Sequence, residues 1–257
     1  MYDSFSEDYD RFVNWTGRLA YEMPFLEKQI KHLQKSGKKA LKILDSACGT
    51  GMHAIELAKQ GHAVSAADLF PQMVRKGQEN ARQANVEVQF STSGFGGLTD
   101  VFGRGQFDLV LCLGNSLPHI LNENDLIDAL KDFASALRKG GMLFIQNRNF
   151  DAVMNQKSRW MEPQVFQAEG KEWIFQRFYD FLADGSIRFN IVTLKRAMDG
   201  DWQAGVGNTL LRPQLYEQLN SLLADVGYKA VQAYGNMEGE PFNPSSSGNL
   251  ILTAIKN

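Results

Sequence analysis

The sequence predicts an α/β fold: a doubly wound, mostly parallel sheet of seven strands, with a helical lid at the N-terminus and an inserted antiparallel β patch. Three observations carry this prediction. From residue 41 to residue 149, apolar runs of strand length alternate with stretches of helical periodicity. Residues 4–35 have a largely helical pattern, and near residue 160 the alternation gives way to apolar, aromatic strands. Strands that alternate with helices are typical of a parallel sheet covered by helices on both faces.

The first half of the chain contains five of these strands and the helices between them. An amphipathic helix over residues 19–35 ends at Ser36-Gly37, as expected for a glycine C-cap. Further helices are predicted over 52–60, 71–84 and 123–138, the last of them ended by Gly140-Gly141. The strands are "LKILDSA" (41–47), "AVSAADL" (63–69), "VEVQFS" (86–91), "FDLVLCLG" (107–114) and "MLFIQNRN" (142–149).

The second half begins with the inserted strands and then returns to the main sheet. "EWIFQRFYDFL" and "SIRFNIVTLKRA" are joined by "ADGS", a good hairpin turn, and "WQAGVGNTLL" follows. Arg212-Pro213 is predicted to open a helix through about 226, before the strands "KAVQAYG" and "NLILTAIK". We expect one domain over 1–257, comprising a lid (1–37), a core (38–154 and 209–257) and a β insertion (155–208).

Composition and charge exclude several classes of protein. The chain has 27 basic and 29 acidic side chains, a formal net charge of −2, and no basic stripe that would favour nucleic acid or an anionic membrane. No apolar run reaches the ~18 residues of a membrane span, and the N-terminus is unlike a signal peptide. Two cysteines, Cys48 and Cys112, favour buried, reduced thiols in a cytoplasmic protein. No His/Cys cluster has metal-ligand spacing, so no metal is expected. The near-zero charge and the long N-terminal helix allow a homo-oligomer.

A glycine turn after the first strand indicates a nucleoside-containing ligand. Gly49 and Gly51 would let the backbone approach a ligand, and the following helix offers free N–H donors. Asp68, at the end of the second strand, could accept both hydroxyls of a ribose. "GTGMHA" also fits the loose dinucleotide pattern, but Asp45 would place a carboxylate close to a pyrophosphate. A cationic ligand suits Asp45 better, so S-adenosylmethionine (SAM) is the predicted cofactor and S-adenosylhomocysteine the product.

These stretches carry a resemblance to a known family. "LDSACGTG" followed by "AADL" resembles the first two motifs of class I SAM-dependent methyltransferases. "FDLVLCLGNSLPHI" and "ALRKGGMLFIQNRNFD" are similar to glycine N-methyltransferase and its sarcosine-methylating relatives. The resemblance is good over about 40–150, weaker over 1–40 and poor beyond 155. It implies a cofactor site that includes Asp45, Ala47, Gly49, Gly51, Asp68, Leu69 and Leu113.

Two residues are expected to act on the methyl acceptor. Asn115 follows strand four at the central crevice, where its side chain or the carbonyls of Leu113 and Gly114 could accept a hydrogen bond from an amine. The alternative is that Asn115 only shapes a turn. Arg148 ends strand five, and an arginine there needs an anionic partner. The resemblance implies that Arg148 binds the acceptor's carboxylate. The alternative is an internal ion pair with Asp151 or another acid.

Other positions have two interpretations each. The resemblance places His119 in the cofactor pocket, although a structural histidine is as plausible, and Phe95 could cover the adenine or only pack in the core. Gly94 stands where the family has an asparagine, so the adenine contact is altered. Tyr9 is predicted to point its hydroxyl at the sulfonium of SAM, and Tyr2 is the alternative candidate, or rival, for this role.

Residues of the lid and the insertion have less definite functional assignments. Arg18 could bind the carboxylate of SAM or remain a surface arginine. The aromatic residues of the insertion are expected to form an apolar face, with no one of them assigned to the substrate: Trp160, Phe166, Tyr179 and Trp202.

The leading hypothesis is therefore a SAM-dependent N-methyltransferase that acts on a small molecule, an amine bearing a carboxylate, with glycine or sarcosine first. A methyltransferase of nucleotide-linked amino sugars shares the expected outline and could use Arg148 to bind phosphate. A dehydrogenase that uses NAD(P) and a SAM-binding protein without catalysis are the alternatives from other classes. Asp45 and the "CLGNS" stretch argue against the dehydrogenase, while Asn115 and Arg148 argue against a protein without activity.

Overall fold

Two β-sheets organise the chain. The computed structural model describes residues 9–34, 37–198 and 200–257. The main sheet has seven strands in the order β10-β11-β5-β4-β1-β2-β3, and a second sheet has four in the order β6-β7-β8-β9. The strands are β1 Lys42–Asp45, β2 Ala63–Asp68, β3 Gln89–Thr92, β4 Phe107–Cys112, β5 Leu137–Arg148, β6 Gln164–Ala168, β7 Lys171–Phe181, β8 Ile187–Ala197, β9 Gln203–Leu211, β10 Tyr228–Tyr234 and β11 Asn249–Lys256.

Helices cover both faces of the main sheet. The described helices are α1 Trp15–Gln34, α2 Met52–Lys59, α3 Pro71–Gln83, α4 Leu98–Phe102, α5 Glu123–Ala136, α6 Phe150–Gln156 and α7 Tyr216–Asp225, with a 3-10 turn at Leu117–His119. In the part of the chain that the structure describes, every helix is too short or too polar to span a bilayer. Cys48 and Cys112 are free and buried. The predicted α/β class, with a mostly parallel seven-stranded sheet and an antiparallel patch, is confirmed.

The topology places a crevice at the centre of the main sheet. Strands β1, β2, β3, β4 and β5 pair in parallel, whereas β11 runs antiparallel to both β5 and β10. The chain moves outward from β1 through β2 to β3, and then crosses back to β4 on the other side of β1. Ligands of doubly wound folds bind at the carboxyl ends of the strands where this reversal occurs. The loops after β1, β2, β4 and β5 therefore frame the site.

The N-terminal helix is fixed to the main sheet by its apolar face. Residues 9–12 form a helical turn, and α1 then buries Phe25, Leu26 and Ile30 in a cluster with residues of β1, β4 and β5. Gly37 has φ +90° and donates to the carbonyl of Gln34 at 2.9 Å, in keeping with the predicted glycine C-cap. Of the lid predicted over 1–37, residues 1–8, which include the rival Tyr2, and residues 35–36 lie outside the described residues.

Some predicted boundaries were wrong, for local reasons. Helix α5 ends at Ala136 and β5 starts at once, so Gly140-Gly141 lies within the strand; a Cβ on Gly141 would lie 3.1 Å from the Phe107 carbonyl. Helix α7 begins at Tyr216 rather than at Arg212, because Arg212 N–H donates at 2.8 Å to the Pro118 carbonyl in an extended segment.

The third strand is also shorter than predicted, and two short helices and one strand were missed. The "VEVQFS" strand begins only at Gln89, since Val86 N–H still donates to Ala81 at the end of α3. Helices α4 and α6 and strand β6 had no prediction, because segments of five to seven residues carry little periodicity.

The second glycine of the turn after β1 permits tight packing. Gly51 has φ +78°, and a Cβ there would lie 2.8 Å from Cζ of Phe90. We expect Gly51→Ala to lower the free energy of unfolding by about 3 kcal/mol, because left-handed strain and overpacking add. Gly61 is the matched control: its φ is +86° but nothing lies within 4 Å of its Cβ position. Denaturant unfolding should show that Gly61→Ala lowers the free energy of unfolding by about 1 kcal/mol. Equal losses of unfolding free energy in the two variants would contradict the packing role of Gly51.

Candidate active site

The turn between β1 and α2 is tied to the end of β2. Cys48 N–H donates at 2.8 Å to the Ala67 carbonyl, and Gly49 N–H donates at 2.8 Å to Oδ2 of Asp68. Gly49 has φ +54°, a conformation that glycine adopts at little cost. The Tyr9 ring lies over this turn, since a Cβ on Gly49 would be 3.5 Å from Tyr9 Cε1.

A cavity of about 820 Å³ opens beside this turn, at the carboxyl ends of β1, β2 and β4. It brings together most of the residues that the sequence assigned to the cofactor. Gly51 is the exception: it does not line the cavity, and a Cβ there would lie 2.8 Å from Cζ of Phe90. Its direct contact with the cofactor stays a prediction. The predicted residues that do line the cavity are Tyr9, Arg18, Asp45, Ala47, Gly49, Asp68, Leu69, Phe95, Leu113 and His119.

Asp68 lies at the edge of this cavity with its carboxylate partly engaged. Its Oδ1 accepts from Phe70 N–H at 3.0 Å, and its Oδ2 accepts from Gly49. Burial raises the pKa of Asp68, and these two backbone hydrogen bonds oppose the shift. Each carboxylate oxygen retains a second lone pair, so the group can still accept from ligand hydroxyls while it shapes the turn.

Asp45 is a buried carboxyl group that the protein leaves incompletely satisfied. It is 1% exposed, and its Oδ1 has no hydrogen-bond partner among the described residues. Burial raises the pKa of Asp45 to about 6, against the opposing charge of His53. A cationic ligand in the adjoining cavity would supply the missing compensation. The cavity therefore fits SAM: Asp45 would face its positive charge and Asp68 would face its ribose hydroxyls.

The raised pKa of Asp45 predicts a pH dependence of cofactor affinity. The carboxyl group becomes protonated as the pH falls through about 6, and it then loses its attraction for the cationic cofactor. We expect SAM affinity, measured by calorimetry between about pH 5 and pH 8, to fall on the acid side in the wild type and to stay level in Asp45→Asn. An equal slope in both proteins would remove Asp45 from the site.

A buried polar network, which was not predicted from the sequence, holds Arg18 at the cavity. Glu22 Oε2 accepts from Arg18 Nε at 3.0 Å and lies 2.7 Å from His53 Nε2, while Oε1 accepts from Gln146 Nε2 at 2.9 Å. Burial would raise the pKa of Glu22, but the hydrogen bond from His53 and the charge of Arg18 lower it to about 2. The signal was an acid four residues after an arginine within an apolar helix. Arg18 is therefore paired and fixed, contrary to a role as a free surface arginine.

A second cavity of about 410 Å³ adjoins the first, between the main sheet and the four-stranded sheet. Tyr9, Arg18, Gly114 and His119 line both cavities, so the two spaces meet at these residues. Burial lowers the pKa of His119 to about 4, so this ring is neutral near pH 7. Such adjoining spaces can hold a donor and an acceptor next to each other.

Asn115 and Arg148 line the second cavity and are linked to each other. Asn115 has φ +65°, and its Oδ1 accepts from the backbone N–H of Arg148 at 2.9 Å. Its own N–H donates at 3.1 Å to the Gln146 carbonyl. Asn115 thus shapes the turn and joins β4 to β5, while its side chain remains at the cavity wall. The carbonyl of Leu113, another proposed acceptor, already accepts from Ser116 Oγ at 2.8 Å.

The ion pair considered between Arg148 and Asp151 is absent from the structure. Asp151 Oδ2 instead accepts from Tyr216 N–H at 3.0 Å. Among the described residues no carboxylate forms a salt bridge with Arg148, and its Nε is buried without a partner. A second arginine, Arg177 of β7, lines the same cavity and was missed by the sequence analysis. Its signal was an arginine on the face of "WIFQRFY" that is otherwise aromatic.

The aromatic residues of the insertion divide between packing and the cavity. Tyr179 is 2% exposed and lines the second cavity, whereas Phe166 packs against Trp173. Trp160 is 63% exposed and Trp202 is 40% exposed, so neither lies in the expected apolar face. Phe95 packs edge-on against Phe133 in the core and also lines the first cavity. Its position is therefore compatible with both core packing and a contact with the adenine.

Comparisons with known proteins agree with this geometry. A family model described as "Methyltransferase domain" matches residues 43–141. The glycine/sarcosine N-methyltransferase of Parasynechococcus marenigrum is 28% identical over 94% of this chain and 80% of its own length. The glycine/sarcosine N-methyltransferase of Halorhodospira halochloris is 29% identical over 92% of this chain and 81% of its own length. A SAM-dependent methyltransferase from Clostridium acetobutylicum superimposes with a TM-score of 0.78 at 16% identity, covering 100% of this chain and 99% of its own.

Fold, site and comparisons together define a SAM-dependent methyltransferase, an enzyme with S-adenosylmethionine as its cofactor. More particularly, the chain is similar to glycine/sarcosine N-methyltransferases over most of its length, which confirms the resemblance found in the sequence. The dehydrogenase and the protein without catalysis are thereby set aside. A sugar N-methyltransferase from Streptoalloteichus shares the fold as well, with a TM-score of 0.72 at 19% identity over 100% of this chain and 93% of its own.

Proposed function

We propose that the enzyme methylates the nitrogen of a small amine that bears a carboxylate, with glycine or sarcosine as the first candidates. One observation carries the proposal: the cavity next to the cofactor cavity contains two arginines, Arg148 and Arg177, that have no acidic partner among the described residues. Both side chains are half-buried with a buried Nε, and removing a guanidinium from water without an acid is costly unless a ligand provides the anion. A carboxylate is the natural counter-ion, because guanidinium binds it through paired hydrogen bonds.

The chain's own residues would position the acceptor rather than activate it chemically. SAM supplies an electrophilic methyl group, and transfer requires the amine lone pair about 3 Å from the methyl carbon, in line with the bond to sulfur. Arg148 would hold the carboxylate, and Asn115 fixes the end of β5 through the backbone of Arg148. The amine would then lie toward Tyr9, Arg18, Gly114 and His119, which line both cavities.

The relatives support the same class of acceptor. Three proteins named glycine/sarcosine N-methyltransferases match 92–94% of the chain at 27–29% identity. We infer that this chain shares their type of acceptor, since Arg148 and Asn115 lie where a carboxylate and an amine can be held side by side. The cytoplasmic location and the homo-oligomer stay predictions.

A nucleotide-linked amino sugar is the second candidate. Two guanidiniums suit a phosphate as well as a carboxylate. A cavity of about 410 Å³ lies within the range that binds molecules larger than an amino acid. The fold shared with a sugar N-methyltransferase agrees with this alternative.

The test is the release of S-adenosylhomocysteine from SAM with separate acceptors: glycine, sarcosine, dimethylglycine and a nucleotide-linked amino sugar. We expect release with glycine or sarcosine. Release with the amino sugar alone would select the second candidate. No release with any of them would contradict both.

A further inference from the structure

Arg177 is a cation on the buried face of the four-stranded sheet. Alternate residues of a strand point to the same side, so Arg177 shares its face with Trp173, Phe175 and Tyr179. These three aromatic residues are 2%, 0% and 2% exposed. The Arg177 guanidinium carbon lies 5.0 Å from the ring centre of Phe12, and its Nε is buried without a partner. Burial and the neighbouring charge of Arg148 lower the pKa of Arg177.

Counting only the residues that the structure describes, the cavity around Arg177 has an unbalanced positive charge. On the lid, Glu22 is matched by its ion pair with Arg18 at 3.0 Å. After β4, His119 is neutral, because burial lowers its pKa to about 4. Arg177 and Arg148 remain, and no described carboxylate forms an ion pair with either of them.

The remaining titratable groups near Arg177 do not change this balance. Tyr9 and Tyr179 line the cavity, and burial raises the pKa of both phenols, so they stay neutral. Arg11 stacks over Trp173 on the same sheet and adds no negative charge. Asp180, which follows Tyr179 on β7, forms an ion pair with Arg159 at 2.8 Å and accepts a hydrogen bond from Asn190 at 2.9 Å.

The cavity also lacks a described group suited to take a proton from an ammonium. Glu22 has a pKa of about 2 and is held by three partners, and His119 is too weakly basic. An amino acid in water is a zwitterion, and its ammonium has no free lone pair. The proton must therefore leave to solvent before methyl transfer. A positive environment disfavours the ammonium and favours the neutral amine.

We propose that Arg177 joins Arg148 in holding the acceptor's carboxylate, and that its charge makes the cavity select the acceptor with a deprotonated amine, in place of a general base. This inference rests on the proposed function. The amine lone pair forms the N–C bond while the C–S bond breaks and its electron pair stays on sulfur. The positive charge moves to nitrogen and leaves with the methylated product, whose ammonium is in turn disfavoured by the same two arginines.

Proton release on binding tests this without turnover. Calorimetry of sarcosine binding to the enzyme–S-adenosylhomocysteine complex, in two buffers of different ionisation enthalpy, gives the number of protons released. We expect about one proton per bound acceptor near pH 7 in the wild type, and clearly fewer in Arg177→Gln. Arg188→Gln, an exposed arginine on β8 of the same sheet, should match the wild type. Binding to the wild type without proton release would overturn the inference, even if the variants failed to fold.

The pH profile of kcat gives a second readout. The acid limb of kcat reports groups in the enzyme–substrate complex. We expect Arg177→Gln to move that limb to higher pH, so that kcat falls about tenfold near pH 7 and recovers at alkaline pH. In Arg177→Lys the limb should keep its wild-type position. A loss by the same factor at every pH would mean a structural role and would overturn the inference. Absence of wild-type activity with every acceptor would instead reject the proposed function.

Discussion

Replacing Arg148 with glutamine is expected to raise the apparent KM for the acceptor about a hundredfold, while the affinity for SAM stays near the wild-type value. Arg148 lines the second cavity and is absent from the first, so its loss removes the carboxylate partner without touching the cofactor. Truncating one member of a buried charge pair costs about 2–5 kcal/mol, and each 1.4 kcal/mol is a tenfold change. Steady-state kinetics gives the KM, and calorimetry gives the SAM affinity.

The control for Arg148 is Arg104→Gln, the same change at an exposed position. It should leave both the KM and the SAM affinity unchanged. If Arg148→Gln weakened SAM and acceptor equally, Arg148 would be structural, and the carboxylate-bearing acceptor would lose its main support. The backbone N–H that Asn115 accepts is retained in the variant, so the turn after β4 should remain in place.

The second large effect is expected at Asp68, where alanine should weaken SAM binding by about 2–3 kcal/mol. The carboxylate is proposed to accept from ribose hydroxyls, and hydrogen bonds to charged groups are worth about 1.5–3 kcal/mol each. Asp68 also anchors Gly49 N–H and Phe70 N–H, so its loss loosens the turn that borders the cofactor. Calorimetry with SAM measures the change directly.

Two further variants separate these contributions. Asp68→Asn keeps one carbonyl oxygen that can anchor Gly49 but removes the charge, so an intermediate loss of affinity is expected. Asp100→Ala is an exposed control and should bind SAM normally. Unchanged SAM affinity in Asp68→Ala would remove Asp68 from the cofactor site.

The sequence predicted the parallel half of the fold well because its signals are local. Strands β1, β2 and β4 are short apolar runs that end at a turn or a charged residue, and burial of these runs follows from their composition. The glycines were harder to assign. Gly49 borders the cavity, whereas Gly51 is required by the proximity of Phe90, which lies on a different strand. Spacing alone does not distinguish a ligand contact from such packing.

The acceptor cavity could be predicted only in part, because two sheets build it. Arg148 ends β5 and Asn115 follows β4, and both fall within the recognisable motifs. Arg177 and Tyr179 come from β7, and their approach to Arg148 depends on how the four-stranded sheet packs, which no local pattern encodes. The pairing of Glu22 with Arg18 has a local signal, but its contacts with His53 and Gln146 do not, since these partners are distant in sequence.

The proposed reaction transfers a methyl group to the nitrogen of a small, carboxylate-bearing amine. The most direct measurement supplies SAM labelled with ¹³C in its methyl group, together with sarcosine and a nucleotide-linked amino sugar in equal amounts, and locates the label by NMR. We expect an N-methyl signal in dimethylglycine that is lost in Arg148→Gln at the same acceptor concentration. Label found only on the amino sugar, or on oxygen or carbon of any acceptor, would contradict it.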